Sequence, residues 1–533
     1  MRNNPYLGLI LYWIRLRIYK LLSCDIIFWM IKIPLPYINT FFFNRVRTLF
    51  FLLFFISFAF RQVNDPDFGW HLRTGEYIVK HGWVPTHDIF SYTMPAYQWI
   101  HNTALSDVIF YALFTLGGNT TFLLSLFFFT LAYLIFIVLL PKTHVLPKEE
   151  INETASRSSL ENRIAVGVLG LSTVIFYSNA LIFDYLGFVL ILMILERYKV
   201  QGQQRLLWFL PPIFFLWPYL HQGFSMGFML VGVYFFADTL EVLKISLEKF
   251  KDLKKVLLFP LGITLLSVLV TFLNPDGWKI YRTAYELWSS QSLSAIAYWT
   301  PTALSVSTYS IFIYFLLFFM FLIFAGFRPP LRQFLSIFFF ASLGFIAMRL
   351  SAFFILASIP VILELDKKKH IYVLQIIFII FLIALQLVIA RGVFTQPLFV
   401  PKKQSFSEFF EKKDIFWSEA PAEAVNYIKN NIPEGNMFNE YDWGGTLAWA
   451  LPTQKLFING NMVYWKNEQN REIFKDLLII KQMQEGWQER LQYYKVDWFL
   501  IETNSPLAAG LLLMPNEWKR VYRDNRASVF IKK

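Results

Sequence analysis

Two aspartates stand on either side of a proline in the stretch NDPDFGWHL, directly after a strongly apolar run that ends at residue 63. A tight turn needs one Asx residue, so turn formation does not account for a second carboxylate. Carboxylates in such a place can take a proton from a hydroxyl group or hold a divalent cation. We therefore predict a chemical role for Asp65, for Asp67 or for both.

The polar stretch that contains them, residues 64–107, holds four of the seven histidines of the chain. It is also rich in tryptophan and tyrosine, and it is long for a connection between spans, which favours a functional loop. Aromatic faces with hydrogen-bonding edges suit a sugar, although an aromatic belt at a membrane surface explains each ring singly. We expect Trp70 and Trp99 to contact a sugar or an acceptor.

The elements that must position these residues are membrane helices. Of 533 residues, 56% are hydrophobic and only 16% are charged, whereas about a quarter of a soluble domain is charged. About eleven apolar runs approach the length of a membrane span. These runs are residues 48–63, 120–140, 164–183, 185–196, 206–220, 223–240, 256–273, 308–326, 333–348, 350–364 and 371–390.

Lysine and arginine are distributed unevenly between alternate loops. If the N-terminus is cytoplasmic, the inner loops hold 24 of these residues and the outer loops hold 6. Because basic loops stay in the cytoplasm, this predicts a multi-pass plasma-membrane protein with a long first outer loop, residues 61–103. The net charge of +12 then reflects membrane topology and gives no reason to expect a nucleic-acid partner.

The composition divides the chain into three parts. Residues 1–47 interleave basic and aromatic side chains and are expected to lie at the cytoplasmic membrane surface. Residues 48–390 carry the apolar runs and form the predicted transmembrane domain. Residues 391–533 are predicted to be a linker followed by a soluble α/β domain on the outer face. The single cysteine, Cys24, excludes a disulfide within the chain.

The pattern within the last part is mixed. AEAVNYIKNNI predicts an amphipathic helix that ends before Pro433, and residues 467–494 also have a helical pattern. KLFIN and VDWFLIE have the composition of strands, and WKRVYRD with ASVFIKK predicts a hairpin that turns at Asp524-Asn525.

Further polar residues lie beside other apolar runs, all at the predicted outer ends. Ionisable groups at membrane depth are costly and usually face a cavity or a partner. Singly, each has an ordinary explanation, as a turn aspartate, a helix-end histidine or an arginine that reaches lipid headgroups. Together they predict one cavity that opens outward. The residues are His71, Asp184, His221, Asn274, Asp276 and Arg349.

Five segments, taken in order, resemble the bacterial branch of the GT-C membrane glycosyltransferases. Relatives of this branch include protein O-mannosyltransferases, lipid A aminoarabinose transferases and the catalytic subunit of oligosaccharyltransferase. The resemblance implies a polyprenyl-phosphate-linked sugar donor in the membrane lipid, inversion at the anomeric carbon, and an acceptor glycan, lipid or protein met at the outer face. The segments are DPDFGWHLRTGEYIVKHGWVPTHDIFSYT, LWPYLHQGFSMG, NPDGWKIYRTAYEL, MRLSAFFILASIPVI and MFNEYDWGGTLAWALPTQKLFINGNMVYW.

The resemblance also implies roles for individual residues. An aspartate of the first outer loop serves such enzymes as base or metal ligand, and Asp65 matches it best, with Asp67 second. A divalent cation, Mg²⁺ or Mn²⁺, would be held by this pair. The departing phosphate needs cationic or hydrogen-bonding groups. We expect these to be Arg349, whose planar fork can hold two phosphate oxygens, together with His221, His71 and Arg73. Asp184 and Asn274 join Trp70 and Trp99 as expected sugar or acceptor contacts.

Three positions depart from the pattern of the branch. Relatives commonly carry Arg-Pro where this chain has Asn179-Ala180, a glutamate near Tyr298, and DGR where this chain has Asn459–Asn461. A second hypothesis therefore stands beside the transferase, namely a non-catalytic module that binds or transports a lipid-linked saccharide.

Overall fold

The computed structural model describes residues 66–140, 180–245, 250–290, 292, 329–364, 421–431 and 433–533. Several sequence predictions lie outside these ranges. They are Asp65, Cys24, Asn179 and Tyr298, the segment 1–47, the spans predicted at 48–63, 308–326 and 371–390, and most of the span predicted at 164–183.

The described part before residue 365 is helical, as the sequence predicts. Its helices are α1 (Phe68–His81), α2 (Ala104–Leu139), α3 (Leu181–Gln201), α4 (Leu210–Leu220), α5 (Phe224–Ile245), α6 (Phe250–Thr271), α7 (Lys279–Ser289), α8 (Leu331–Ile346) and α9 (Ser351–Glu364). One segment in the described ranges, Phe224–Leu243, is long and apolar enough to cross a membrane, and five shorter apolar helices accompany it. The count of about eleven spans stays a prediction.

Two helix limits differ from the sequence prediction. The helix predicted from residue 120 begins at Ala104 and is interrupted at Gly117 and Gly118, where the backbone is not helical. Asp184, predicted to lie in a tight turn between two spans, is instead in the first turn of α3. The turn prediction was wrong because a carboxylate is favourable near a helix N-terminus, where unpaired N–H groups carry partial positive charge.

Buried polar pairs tie the other end of α3 to its neighbours. The Tyr234 hydroxyl on α5 donates to Glu196 Oε1 over 2.6 Å, and Arg332 on α8 donates to both oxygens of the same carboxylate at 3.2 Å. Lys199 pairs with Asp238 nearby. Since a buried carboxylate is costly unless paired, these contacts fix how α3, α5 and α8 register against one another.

The C-terminal part builds a four-stranded sheet in the order β1-β2-β4-β3. Strands β1 and β2 are parallel, and β4 is antiparallel to both of its neighbours. Its elements are α10 (Ala422–Asn430), β1 (Asn436–Asn439), α11 (Gly444–Ala450), α12 (Ile473–Lys481), α13 (Trp487–Tyr493), β2 (Val496–Glu502), α14 (Pro506–Leu512), β3 (Trp518–Arg523) and β4 (Ala527–Lys532).

The sequence prediction for this part was correct for VDWFLIE, for the terminal hairpin and for the helical character of residues 467–494. It missed β1 and was wrong about KLFIN, which is not a strand of the sheet. Leu456 instead forms an isolated parallel bridge with Ser91 of the first loop. Its amide donates to the Phe90 carbonyl at 2.9 Å, and the Tyr92 amide donates to the Leu456 carbonyl at 3.1 Å.

The first loop and the C-terminal part share one hydrophobic core. Trp70, Phe90, Met94 and Trp99 of the loop are buried in the same cluster as the inner faces of the sheet and its helices. Thr93 Oγ1 donates to the Phe457 carbonyl at 2.7 Å across this contact. The loop is thus held as a folded part of the C-terminal region.

Candidate functional site

Three glycines bring the start of α1 into backbone contact with the C-terminal part. A Cβ on Gly69 would lie 2.1 Å from the Gly445 carbonyl oxygen, and a Cβ on Gly445 would lie 2.0 Å from the Pro66 carbonyl oxygen. A Cβ on Gly460 would lie 1.6 Å from Asp67 Oδ1. Backbone atoms leave no room for a side chain at Gly69 or Gly445, and at Gly460 the Asp67 carboxylate occupies the space; we call this contact the glycine junction.

Asp67 therefore reaches the loop Asn459–Asn461 directly. It stands at the N-terminal boundary of α1, where its carbonyl accepts from the Trp70 amide at 3.2 Å and the His71 amide at 3.3 Å. Its carboxylate lies against Gly460. The sequence separates these two residues by most of the chain, and the fold brings them into contact.

The loop Asn459–Asn461 is firmly positioned. Asn439, at the end of β1, donates from Nδ2 to the Ile458 carbonyl at 2.9 Å and accepts from the Phe457 amide at 2.9 Å. Asn459 Oδ1 accepts from the Asn461 amide at 3.0 Å in an Asx turn. The hydrogen bonds of Asn439 therefore attach this loop to the end of β1.

The Tyr441 hydroxyl links the two sides of the site. It donates to the Gly460 carbonyl at 2.9 Å and is within electrostatic reach of Asp67, Asp442 and Arg349. Burial raises its pKa well above the ordinary value, the two carboxylates add to this, and Arg349 opposes it. Tyr441 is therefore a neutral hydrogen-bond donor within electrostatic reach of both a carboxylate and a guanidinium group.

Arg349 lies in the helical part of the chain. It lies in a short 3₁₀ turn, Met348–Leu350, between α8 and α9, as the sequence predicts. Besides Tyr441, it acts electrostatically on Tyr185, which follows Asp184 in α3. The turn thereby places the Arg349 guanidinium within electrostatic reach of both α3 and the C-terminal part.

Both carboxylate oxygens of Asp184, in the first turn of α3, accept hydrogen bonds. Trp217 Nε1 donates to Oδ1 at 2.8 Å, the Gly223 amide donates to Oδ1 at 3.1 Å, and His221 Nδ1 donates to Oδ2. The carboxylate is 1% exposed, and a Cβ on Gly223 would lie 2.1 Å from its Cγ. The contacts indicate that Asp184 orients His221.

A second histidine–aspartate pair lies next to the first. His71 Nδ1 on α1 donates to Asp107 Oδ1 on α2 at 2.5 Å, and Thr103 Oγ1 donates to Oδ2 at 3.1 Å. His221 is within electrostatic reach of the same carboxylate. Each aspartate fixes the ring orientation and the protonated nitrogen of its histidine, as outer-shell carboxylates commonly do.

His101 completes this buried group. Its ring packs against Trp99 at 3.6 Å between centroids, and neither ring nitrogen has a hydrogen-bond partner within the described ranges. Its backbone N–H donates to the Asp276 carboxylate, which ties the first loop to the NPDGW turn after α6. Burial, with His71 nearby, lowers the pKa of His101 to about 3, so the ring is neutral.

His101 predicts a pH dependence of stability. Its pKa is lower in the folded chain, so its contribution is complete above about pH 6.5 and declines as the pH falls toward 3, where the unfolded chain binds a proton that the folded chain does not. We expect His101→Gln to reduce the slope of unfolding free energy against pH in that window by up to about 1.4 kcal/mol per unit. Chemical unfolding in detergent at several pH values measures this slope, and equal slopes for both proteins would contradict the assignment.

The structure thus places most of the predicted polar residues in two groups. In the first, Asp67 and Arg349 are both within electrostatic reach of Tyr441; in the second, His71 and His221 are each held by an aspartate, and His221 is within electrostatic reach of Asp107. Asn274 is buried close by, and its Oδ1 accepts from the Asp276 amide at 3.0 Å.

Three predicted contacts are placed differently. Arg73 forms an ion pair with Glu76 of the same helix. Trp70 stacks on His71 and meets Trp99 edge to face at 5.9 Å, and both indoles are buried in the shared core. Their faces therefore pack against protein in this structure, because the aromatic loop supplies the core beneath the junction. They do not form an open platform for a sugar.

Sequence reasoning missed Tyr441, Asp107 and His101 as site residues. Asp107 and His101 had a signal, because they end the polar stretch that was singled out. Tyr441 had no signal in the sequence other than its position just before the WGG segment, because only the fold brings it near Asp67.

No group of three or more His, Cys, Asp or Glu side chains suited to a metal ion occurs in the part of the chain that the structure describes. Asp65 lies outside that part. The residues at hand do not by themselves form a metal site, and no chemical step is assigned to a metal here.

No family model and no curated protein matches the chain. Among solved structures, it is similar to the crystal structure of the Archaeoglobus fulgidus oligosaccharyltransferase tethered to an acceptor peptide with the NVT sequon, at 12% identity and a TM-score of 0.48, covering 91% of this chain and 74% of that one. It is also similar to the oligosaccharyltransferase AglB from Archaeoglobus fulgidus with an inhibitory peptide and a dolichol-phosphate, at 11% identity and a TM-score of 0.44, covering 86% and 70%. The apo form gives 11% identity and a TM-score of 0.37, covering 85% and 69%.

Proposed function

We propose that the chain is a GT-C-type glycosyltransferase that moves a hexosyl or pentosyl group from a polyprenyl-phosphate-linked donor to an acceptor at the outer membrane face, with inversion. The observation that carries the proposal is that the Asp67 carboxylate and the Arg349 guanidinium both lie within electrostatic reach of the Tyr441 hydroxyl, which donates to Gly460. A carboxylate and an arginine that can pair with a phosphate are the groups that this transfer needs.

The chemistry follows from these groups. Asp65 takes the proton of the acceptor hydroxyl, whose oxygen then forms a bond to the anomeric carbon. The bond from that carbon to the phosphate oxygen breaks, and its electron pair stays on the phosphate. Arg349 donates two hydrogen bonds to the departing phosphate, where negative charge grows. Attack from the face opposite the phosphate gives inversion. His71 and His221, held by their aspartates, are further donors beside the phosphate.

Asp67 supports the base and does not replace it. Asp67 is two residues from Asp65 in the sequence, and a second carboxylate close to the first would raise the pKa of the first and make it a better base. Should a divalent cation bind, the pair Asp65 and Asp67 would hold it, and the ion would add charge stabilisation at the phosphate.

Arg349→Lys tests the phosphate contact. Lysine keeps the charge but loses the planar fork, so we expect donor affinity to fall by about 1 to 2 kcal/mol. Binding of undecaprenyl phosphate to the purified chain in nanodiscs measures the change. Arg205→Lys, in the exposed segment after α3, is the matched control and should bind normally. Normal binding by Arg349→Lys as well would remove Arg349 from the donor site.

The proposed topology places residues 61–103 and the C-terminal part outside and residues 197–205 inside. The shared core of the first loop and the C-terminal part supports a common side for both. After replacement of Cys24 by Ser, single cysteines at the exposed positions Ala96, Asn525 and Gln203 can be treated with an impermeant maleimide in intact cells. We expect modification at Ala96 and Asn525 only. Modification at Gln203 alone would invert the topology.

A further inference from the structure

The loop Asn459–Asn461 carries two amide groups that the reaction described above does not use. Asn459 is fully buried, and Nδ2 of both Asn459 and Asn461 is buried without a hydrogen-bond acceptor among the described residues. A buried amide donor left unpaired has lost its hydrogen bonds to water without replacement, which destabilises the fold. Two of them on one tight loop, on either side of Gly460, are unusual for a purely structural turn.

The orientation of the Asn459 amide is fixed by its own contacts. Its Oδ1 accepts the Asn461 amide hydrogen at 3.0 Å, so Nδ2 is the group that faces away from the turn. Exchange of the two amide atoms would put N–H against N–H. The contacts of the folded chain therefore make Nδ2 of Asn459 the unpaired donor.

The surroundings of these donors define what they can bind. The Asp67 carboxylate lies against Gly460, the residue between the two asparagines, and the Tyr441 hydroxyl already donates to the Gly460 carbonyl. An anionic ligand at the two amides would lie beside the Asp67 carboxylate and be repelled by it, whereas Glu440 is paired with Lys481 and adds little. Amide donors beside a carboxylate acceptor match the alternating acceptors and donors of neighbouring hydroxyl groups.

We propose that the loop Asn459–Asn461, with Asp67, is a subsite for the hydroxyl groups of an uncharged sugar. The two amides donate to hydroxyl oxygens and the carboxylate accepts a hydroxyl hydrogen. This inference rests on the proposed function, because it names the ligand class of the same site. The sugar is either that of the donor or that of the acceptor, since both present the same hydroxyl chemistry.

Asn459→Asp isolates the donor. It keeps Oδ1 for the Asx turn, so the loop can keep its shape, and replaces the unpaired N–H₂ by an acceptor. Asn467→Asp is the matched control, because Asn467 Oδ1 also caps a turn, accepting from the Gln469 amide at 3.0 Å and the Arg471 amide at 2.9 Å, at an exposed place away from the junction. Asn461→Ser provides a second variant without added charge, in case Asn459→Asp does not fold.

The probes are free glucose, mannose and N-acetylglucosamine, with glucuronate as the anionic counterpart, and the readout is saturation-transfer NMR on the full chain in nanodiscs. We expect at least one neutral sugar to bind at least fivefold more tightly than glucuronate. We also expect Asn459→Asp and Asn461→Ser to weaken that sugar about tenfold, since each leaves a hydroxyl contact unmade, while Asn467→Asp changes nothing. Equal binding of glucuronate, or unchanged sugar binding in both folded loop variants, would overturn the subsite.

Added undecaprenyl-phosphate glucose identifies the source of the sugar. Displacement of the free sugar assigns the subsite to the donor, and simultaneous binding assigns it to the acceptor. Because these measurements need no turnover, they separate the two proposals. If the chain binds the sugar through Asn459 but transfers no sugar, the proposed subsite is supported and the proposed transferase activity is contradicted.

Discussion

Asp65→Asn is expected to lower the rate of sugar transfer by about 10²- to 10⁴-fold, the usual contribution of a general base. The amide keeps the size of the side chain and most of its hydrogen bonding, so folding and donor binding should remain. Transfer from a polyprenyl-phosphate sugar under single-turnover conditions measures the chemical step apart from binding. The corresponding loss for Asp67→Asn should be smaller, because Asp67 acts through its neighbour.

Asp524→Asn serves as the matched control. Asp524 is likewise an aspartate in a turn, where it accepts from the backbone N–H groups of Arg526 at 2.7 Å and Ala527 at 2.6 Å, but it lies in the terminal hairpin. The Asp524→Asn chain should transfer sugar at the normal rate. Full activity of both Asp65→Asn and Asp67→Asn would show that the two aspartates only form a turn at a helix end. A chain that binds the donor at every pH and transfers nothing even unmutated would favour the binding or transport module.

Gly445→Ala is expected to destabilise the chain by about 1 to 3 kcal/mol and to abolish most of the transfer activity. Its Cβ would lie 2.0 Å from the Pro66 carbonyl oxygen and 3.0 Å from the Asp67 Cα, and backbone atoms on both sides leave no rotamer that could relieve the contact. Helix propensity alone would stabilise the same substitution by up to about 1 kcal/mol. A loss of stability would therefore show that the steric contact dominates, and a gain would show that helix propensity dominates.

Thermal unfolding in detergent and the transfer assay check this result together. Gly232→Ala is the control, because Gly232 lies within α5 with no atom in reach of an added Cβ. It should be neutral or stabilising and fully active. A Gly445→Ala chain that matched this control in both measurements would show that the glycine junction does not position Asp67.

The helical part of the fold could be predicted from composition because long apolar runs leave the backbone no partner but itself. The terminal hairpin and VDWFLIE could also be predicted locally, since short runs rich in apolar and aromatic residues and bounded by turn residues are typical of strands. KLFIN had the same composition as a strand but pairs with Ser91 of the first loop. Its partner is distant in the sequence, and no local pattern distinguishes the two outcomes.

The candidate site divides in the same way. The sequence by itself determined that Asp67, His71, His221 and Arg349 are polar groups beside apolar runs, because the cost of burying a charge in a membrane makes each one conspicuous. Only the tertiary structure decided which of them meet. Gly69 and Gly445 lack side chains where two backbones touch, and Gly460 lacks one where the Asp67 carboxylate lies; no single segment of the sequence shows this close approach, which places the Asn459–Asn461 loop against Asp67.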